Sequence, residues 1–165
     1  MRRNIVRYGL NIMTGLVFGS TLVLSWSALE AGGGKKSDSE VKVSAKAGKI
    51  DDTGKQLITV TLAIKKGWHV YANPVGNADL RSSQTVVTVT AKEKLEQVKI
   101  DYPEGKIIND KLVGNYRTYE GQVDIKANVQ RAKGDTGPLE VSVRFMACHD
   151  KGVCLLPATV KLTVK

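Results

Sequence analysis

The 165-residue chain has only two cysteines, two histidines and few aromatic residues. The cysteines stand six positions apart, at 148 and 154. That count and spacing exclude a paired Cys-x-x-Cys zinc site and the Cys-x-x-Cys of a redox helix. No segment of useful length carries a helical period, and no internal repeat is present. No nucleophile motif supports Ser/His/Asp hydrolysis, and Asp51-Asp52 and Asp101/Glu104 read as turn acids. The charge is +9, from 25 basic and 16 acidic residues, but no basic cluster is interleaved with aromatics, which argues against nucleic acid.

There is one long hydrophobic run. Arg2, Arg3 and Arg7 precede an uncharged stretch from Tyr8 to Leu29, mostly apolar between Ile12 and Leu24. A basic start, an apolar centre and small residues beyond it read as an export signal over residues 1–31. An uncleaved membrane anchor is the alternative, since about 20 apolar residues span a bilayer. Gly15, Gly19, Ser20 and Thr21 make it a poor permanent span. Both readings place the rest of the chain in a periplasmic or secreted, oxidising compartment where disulfides persist. Loss of residues 1–31 takes away three arginines and one glutamate, so 22 basic and 15 acidic residues remain, a charge of +7. The scattered lysines make a solvated face with weak attraction for anionic partners.

Residues 32–39, Gly-Gly-Gly-Lys-Lys-Ser-Asp-Ser, read as a flexible linker. The domain is expected over 40–165. Val41, Val43, Ala45 and Ala47 alternate with Lys42, Ser44 and Lys46, and Leu57 to Ile64 follows the Asp51-Asp52-Thr53-Gly54 turn. Further strands are expected at Trp68–Tyr71, Thr85–Thr90, Val98–Tyr102, Tyr116–Tyr119, Val123–Val129, Leu139–Met146 and Leu155–Val164. Period-2 runs between Gly, Pro, Asn and Asp turns predict an all-β sandwich. Roughly 125 residues suffice to bury its core.

Cys148 ends one apolar strand and Cys154 begins the next, with Asp150-Lys151-Gly152 as the turn. Five intervening residues allow a disulfide across the hairpin mouth. The chain-entropy model gives so small a loop roughly 2.4 kcal/mol, less than a long-range staple provides. The bond is therefore either a labile, exchanging cystine or a structural pin in a binding or scaffold module. His149 is placed to favour a Cys148 thiolate or to shuttle protons, or it is a turn residue. A mixed site of Cys148, His149, Cys154 and His69 for copper or zinc is disfavoured, because adjacent strand residues point to opposite faces. No metal or soluble cofactor is expected.

The run Cys-x-Asp-x-Gly-x-Cys, followed by Leu155-Leu156-Pro157, resembles the amino-terminal periplasmic domain of DsbD-type thiol:disulfide interchange proteins. Gly67-Trp68-His69-Val70-Tyr71, Tyr102-Pro103-Glu104-Gly105 and Asp110-Lys111-Leu112-Val113-Gly114 with Tyr119 match that family in the same order. The resemblance covers residues 40–165. It implies an immunoglobulin-like sandwich whose Cys148 and Cys154 are the redox pair, with Cys154 entering the mixed disulfide. It implies a cap at Asp110, Leu112 and Gly114, with Leu112 shielding the sulfurs until a partner displaces it and with Asp110, His69 and Tyr71 close by. It further implies exchange with thioredoxin-like periplasmic proteins and a membrane electron-transfer protein, so that any activity needs partners. Three positions depart from the family pattern: Leu112 stands for an aromatic, Lys111 for an acidic residue, and Leu156 for the first of two prolines.

Overall fold

In a computed structural model, residues 34–165 are described. The export signal expected over 1–31 lies outside them. Among the described residues, no helix is long and apolar enough to cross a membrane.

Eleven strands and two short 3-10 turns make up the domain. Strands β1 (Val41–Ala47), β2 (Lys55–Ile64), β8 (Gln122–Gln130) and β5 (Gln97–Asp101) form one antiparallel sheet in the order β1-β2-β8-β5. Strands β11 (Ala158–Val164), β9 (Leu139–Phe145) and β4 (Val86–Ala91) form a second, β11-β9-β4. The third sheet runs β10-β3-β7-β6, from Ala147–His149, Trp68–Tyr71, Gly114–Glu120 and Lys106–Asp110. This is the all-β sandwich expected from the alternation, of the immunoglobulin-like kind that the resemblance implies.

The alternation explains the core. In β2, Ile58, Val60 and Leu62 point inward with no exposed surface, while Leu57 and Thr59 on the other face meet solvent. In β9, Leu139, Val141, Val143 and Phe145 do the same. These side chains meet those of β4 and β8 in one cluster, together with Val70, Tyr119 and Ala147 of the third sheet. Each buried aliphatic side chain contributes about 1.5–3 kcal/mol. A buried cation lies at the edge of this core. Arg131 is 1% exposed, donates to the Gln56 side chain at 3.0 Å and to the Asp135 carbonyl at 3.0 Å, and holds the loop before β9.

Four details differ from the sequence reading, one being that the strand expected over Leu155–Val164 begins only at Ala158. Lys106–Asp110 is a strand, paired with β7 from Lys106↔Thr118 to Asp110↔Gly114. The strand expected over Leu139–Met146 ends at Phe145, and the chain passes from the second sheet to the third at Met146 before resuming as β10. The segment read as a flexible linker is folded in its second half: Ser37–Ser39 form a 3-10 turn, Ser37 is fully buried, and Lys36 bridges Leu156 in parallel. A buried hydroxyl that finds two backbone partners outweighs the polar, glycine-rich composition that predicted a free tether.

Candidate disulfide site

The two cysteines are bonded, with an S–S distance of 2.05 Å and Cα atoms 4.0 Å apart. They face each other across the mouth of a tight hairpin. His149 N–H donates to the Val153 carbonyl at 2.7 Å and Leu155 N–H to the Ala147 carbonyl at 2.9 Å, one bond on each side of the cystine. Asp150, Lys151 and Gly152 form the turn between them. Gly152 has φ +85°, a left-handed conformation suited to glycine at the last position of a three-residue hairpin loop.

The environments of the sulfurs differ. Cys148 is 3% exposed and packs with Tyr71 and Val75, flanked by Leu80, Tyr116 and Met146. Cys154 is exposed. The register explains this. Cys148 lies on β10 against β3, directly opposite His69, so its side chain shares a face with His69 and Tyr71. Cys154 lies on the outer limb, which among the described residues has no regular strand on its far side.

Tyr71 is a polar neighbour of the buried sulfur. Its hydroxyl donates to Cys148 Sγ at 3.7 Å, and its ring lies 5.7 Å from that of Tyr116. Burial pushes the Tyr71 hydroxyl above its ordinary pKa, with smaller contributions from Tyr116 and the Asp110 carboxylate. Tyr116 is raised by burial and then by Asp110. Both phenols therefore stay protonated and remain donors at neutral pH. His69 stands edge-on to Tyr71, with ring centroids 6.3 Å apart, and its Nδ1 lies 3.2 Å from Asp150 Oδ1 in the hairpin turn.

The β6–β7 turn holds the other expected residues. Asp110 Oδ1 accepts the N–H groups of Leu112 at 2.8 Å and Val113 at 2.9 Å. Those bonds, Val113 first, hold the Asp110 carboxyl below its ordinary pKa, so it stays charged. Gly114 has φ +88° and closes the turn opposite Asp110. Asn77 Nδ2 donates to the Val113 carbonyl at 2.8 Å and ties the turn to a neighbouring loop.

The structure thus brings together Cys148, Cys154, Tyr71 and His69, with the charge of Asp110 felt at Tyr71. Two expected residues stand apart. Leu112 is 96% exposed and shields nothing. Asp110 draws the turn's amides onto its own carboxylate, which leaves the side chain at the tip in solvent. His149 lies on the opposite face of β10 from Cys148, edge-on to Trp68 at 5.0 Å, while its Nδ1 accepts the Lys151 N–H at 3.1 Å.

Sequence reasoning missed Tyr116 as a neighbour of the site and Ser37 altogether. Tyr116 could have been found from the period-2 pattern of β7, where residues 116 and 118 share a face. Nothing in the polar run around Ser37 signals its role. Among the described residues, no three His, Cys, Asp or Glu side chains are grouped to hold a metal ion. Two grooves among the described residues, of 450 and 490 Å³, lie elsewhere, and neither is lined by a cysteine. The exposed sulfur is therefore presented on the surface, within reach of another protein.

Comparison with known proteins bears on the family and the fold. The family model for the N-terminal region of thiol:disulfide interchange protein DsbD matches residues 37–165. No curated protein matches. The reduced-form crystal structure of the Neisseria meningitidis DsbD N-terminal domain aligns with a TM-score of 0.50 and 16% identity, over 78% of this chain and 86% of that one. The N-terminal periplasmic domain of ScsB from Proteus mirabilis aligns with a TM-score of 0.51 and 16% identity, over 74% of this chain and 44% of that one. At such identity these likenesses report the fold.

Proposed function

The chain belongs to the family of N-terminal domains of thiol:disulfide interchange protein DsbD, and on that premise we propose that it is an exported domain exchanging its Cys148–Cys154 disulfide with protein thiols. The observation that carries this reading is the asymmetry of the bond, with one sulfur buried against Tyr71 and the other open to solvent. A cystine serving only to pin the hairpin has no need of an accessible sulfur beside a protected one.

A partner thiolate attacks Cys154 Sγ in line with the S–S bond. That bond breaks, a mixed disulfide forms, and Cys148 leaves as a thiolate beside the Tyr71 hydroxyl. The partner's second thiol, as thiolate, then attacks the partner sulfur of the mixed disulfide and releases Cys154. Two electrons and two protons have passed from the partner dithiol to Cys148 and Cys154. In the reverse direction, the Cys154 thiolate attacks a partner disulfide and Cys148 resolves the mixed disulfide. The partners are thioredoxin-like proteins on one side and a membrane electron-transfer protein on the other, in the periplasm. The family membership and the periplasmic setting of the related ScsB domain support this placement.

The reduction potential tests the proposal. Structural cystines of secreted proteins lie below about −300 mV, and exchanging ones lie higher. A value above that mark, with reduction by a thioredoxin-like protein, is expected. A lower value with no reduction would mean that the cystine only pins the hairpin.

A further inference from the structure

The third rung of the cysteine hairpin is supplied by a residue more than a hundred positions away. Ala147 turns both backbone polar groups away from β3. Its carbonyl accepts the Leu155 N–H at 2.9 Å, and its N–H donates to Ser37 Oγ at 2.8 Å. The same Ser37 hydroxyl donates to the Leu156 carbonyl at 2.8 Å. One hydroxyl, used both as acceptor and as donor, thereby links the residue before Cys148 to the residue two beyond Cys154. The backbone around it reinforces the link. Ser37 N–H donates to the Leu156 carbonyl at 2.9 Å, and Leu156 N–H donates to the Lys35 carbonyl at 3.1 Å. Ser37 has no exposed surface, so water cannot replace its hydroxyl.

Apart from the two backbone bonds of the hairpin, the Cys154 limb has few partners among the described residues. It lies between the turn at 150–152 and the start of β11 at Ala158, and its bridges are to Cys148 on one side and, through Leu156, to Lys36 on the other. While the disulfide is closed, the S–S bond itself holds the limb. When an external dithiol reduces that bond and is itself oxidised to a disulfide, the two cysteines become thiols and that link is gone. The contacts that remain decide how often Cys154 returns to bonding distance of Cys148.

We propose that Ser37 is a positioning residue for disulfide exchange: it keeps the Cys154 limb in register with Cys148 when the disulfide is open. This rests on the exchange reading above. The physical effect is on effective concentration, since a thiol held near its partner re-forms the bond more favourably than one on a loose limb. Ser37 does not touch the reacting sulfurs and acts through Ala147 and Leu156.

The test is Ser37→Ala in the full chain, equilibrated in a dithiothreitol redox buffer, with thermal unfolding of both redox forms. Loss of the clasp frees the reduced limb more than the oxidised one. The effective concentration is expected to fall about tenfold, which raises the reduction potential by about 30 mV for this two-electron couple. An unchanged potential, with the two redox forms destabilised equally, would show that Ser37 serves packing alone and would overturn the proposal. Should the variant not fold, amide exchange of Ala147 in the unsubstituted chain decides the matter. Protection that survives reduction supports the clasp, and loss of protection on reduction refutes it. The dithiothreitol equilibrium needs no protein partner, so the two readings fail separately. A shifted potential in a chain inert to thioredoxin-like proteins overturns the exchange reading alone. An unshifted potential in a chain that exchanges overturns the clasp alone.

Discussion

The Tyr71 hydroxyl meets Sγ of Cys148 at 3.7 Å, on the buried side of the disulfide. Of the two sulfurs, Cys148 is the one that leaves when a nucleophile takes Cys154, and a leaving thiolate gains most from a donor already in place. A hydrogen bond to a charged group contributes about 1.5–3 kcal/mol. Tyr71→Phe is therefore expected to slow reduction by dithiothreitol by about tenfold or more, with circular dichroism unchanged. A rate equal to that of the unsubstituted protein would reduce the contact to packing.

The cysteines are expected to behave unequally when taken singly. Cys148→Ser leaves the exposed Cys154 thiol, which should form a stable mixed disulfide with a thioredoxin-like protein and react readily with thiol reagents. Cys154→Ser leaves a thiol that is 3% exposed, and trapping should be weak. Non-reducing electrophoresis of the two variants reads the difference. Equal trapping would contradict the assignment of Cys154 as the attacked sulfur.

Leu112 offers a check on the cap. At 96% exposure it covers no sulfur. Leu112→Ser is expected to change stability by no more than about 0.5 kcal/mol, and to leave the dithiothreitol reduction rate of the disulfide unaltered. A marked acceleration would restore the shielding role that the resemblance implies.

Acid should loosen the β6–β7 turn. Asp110 has a lowered pKa because its carboxylate accepts two backbone amides. A carboxylate depressed in the folded state contributes stability that is present above its unfolded pKa and is lost as pH falls through the folded one. The window therefore lies below about pH 4. Asp51 shares it, lowered first by the Thr53 side chain and then by the Lys55 amide. NMR titration should show the Leu112 and Val113 amides shifting together in that range, and Asp110→Asn should abolish the step. Amides that stay constant down to pH 2 would contradict it.

Much of the fold was legible, and the reason is periodicity. In β2 and β9, strict alternation of aliphatic and polar residues announces a half-buried strand, and the buried residues are those on the apolar phase. Lys106-Ile107-Ile108-Asn109-Asp110 escaped because five residues with Ile107 and Ile108 adjacent carry no alternation. Arg131 escaped because burial of a cation depends on Gln56 and Asp135, which only the fold brings to it. At the site, the nearness of His69 and Tyr71 to Cys148 was implied by the resemblance alone, and the register that sets Cys148 opposite His69 appears only in the fold. Leu112 shows the limit of resemblance, which transfers a position in the chain but not the conformation of the turn around it. Ser37 had no local signal, because its partners lie at 147 and 156.

The passage of the chain between sheets at Met146 has a mechanical consequence. Just before it, β9 is held on both sides, by β4 from Val86↔Arg144 and by β11 up to Ala158↔Phe145. Cys148 thus follows closely on a strand end that is paired on both sides, which limits its recoil when the sulfurs part. Any displacement on reduction falls to the other limb. Were the bond to open, the movement is expected at the Cys154 limb, with the Cys148 side as its fixed jamb.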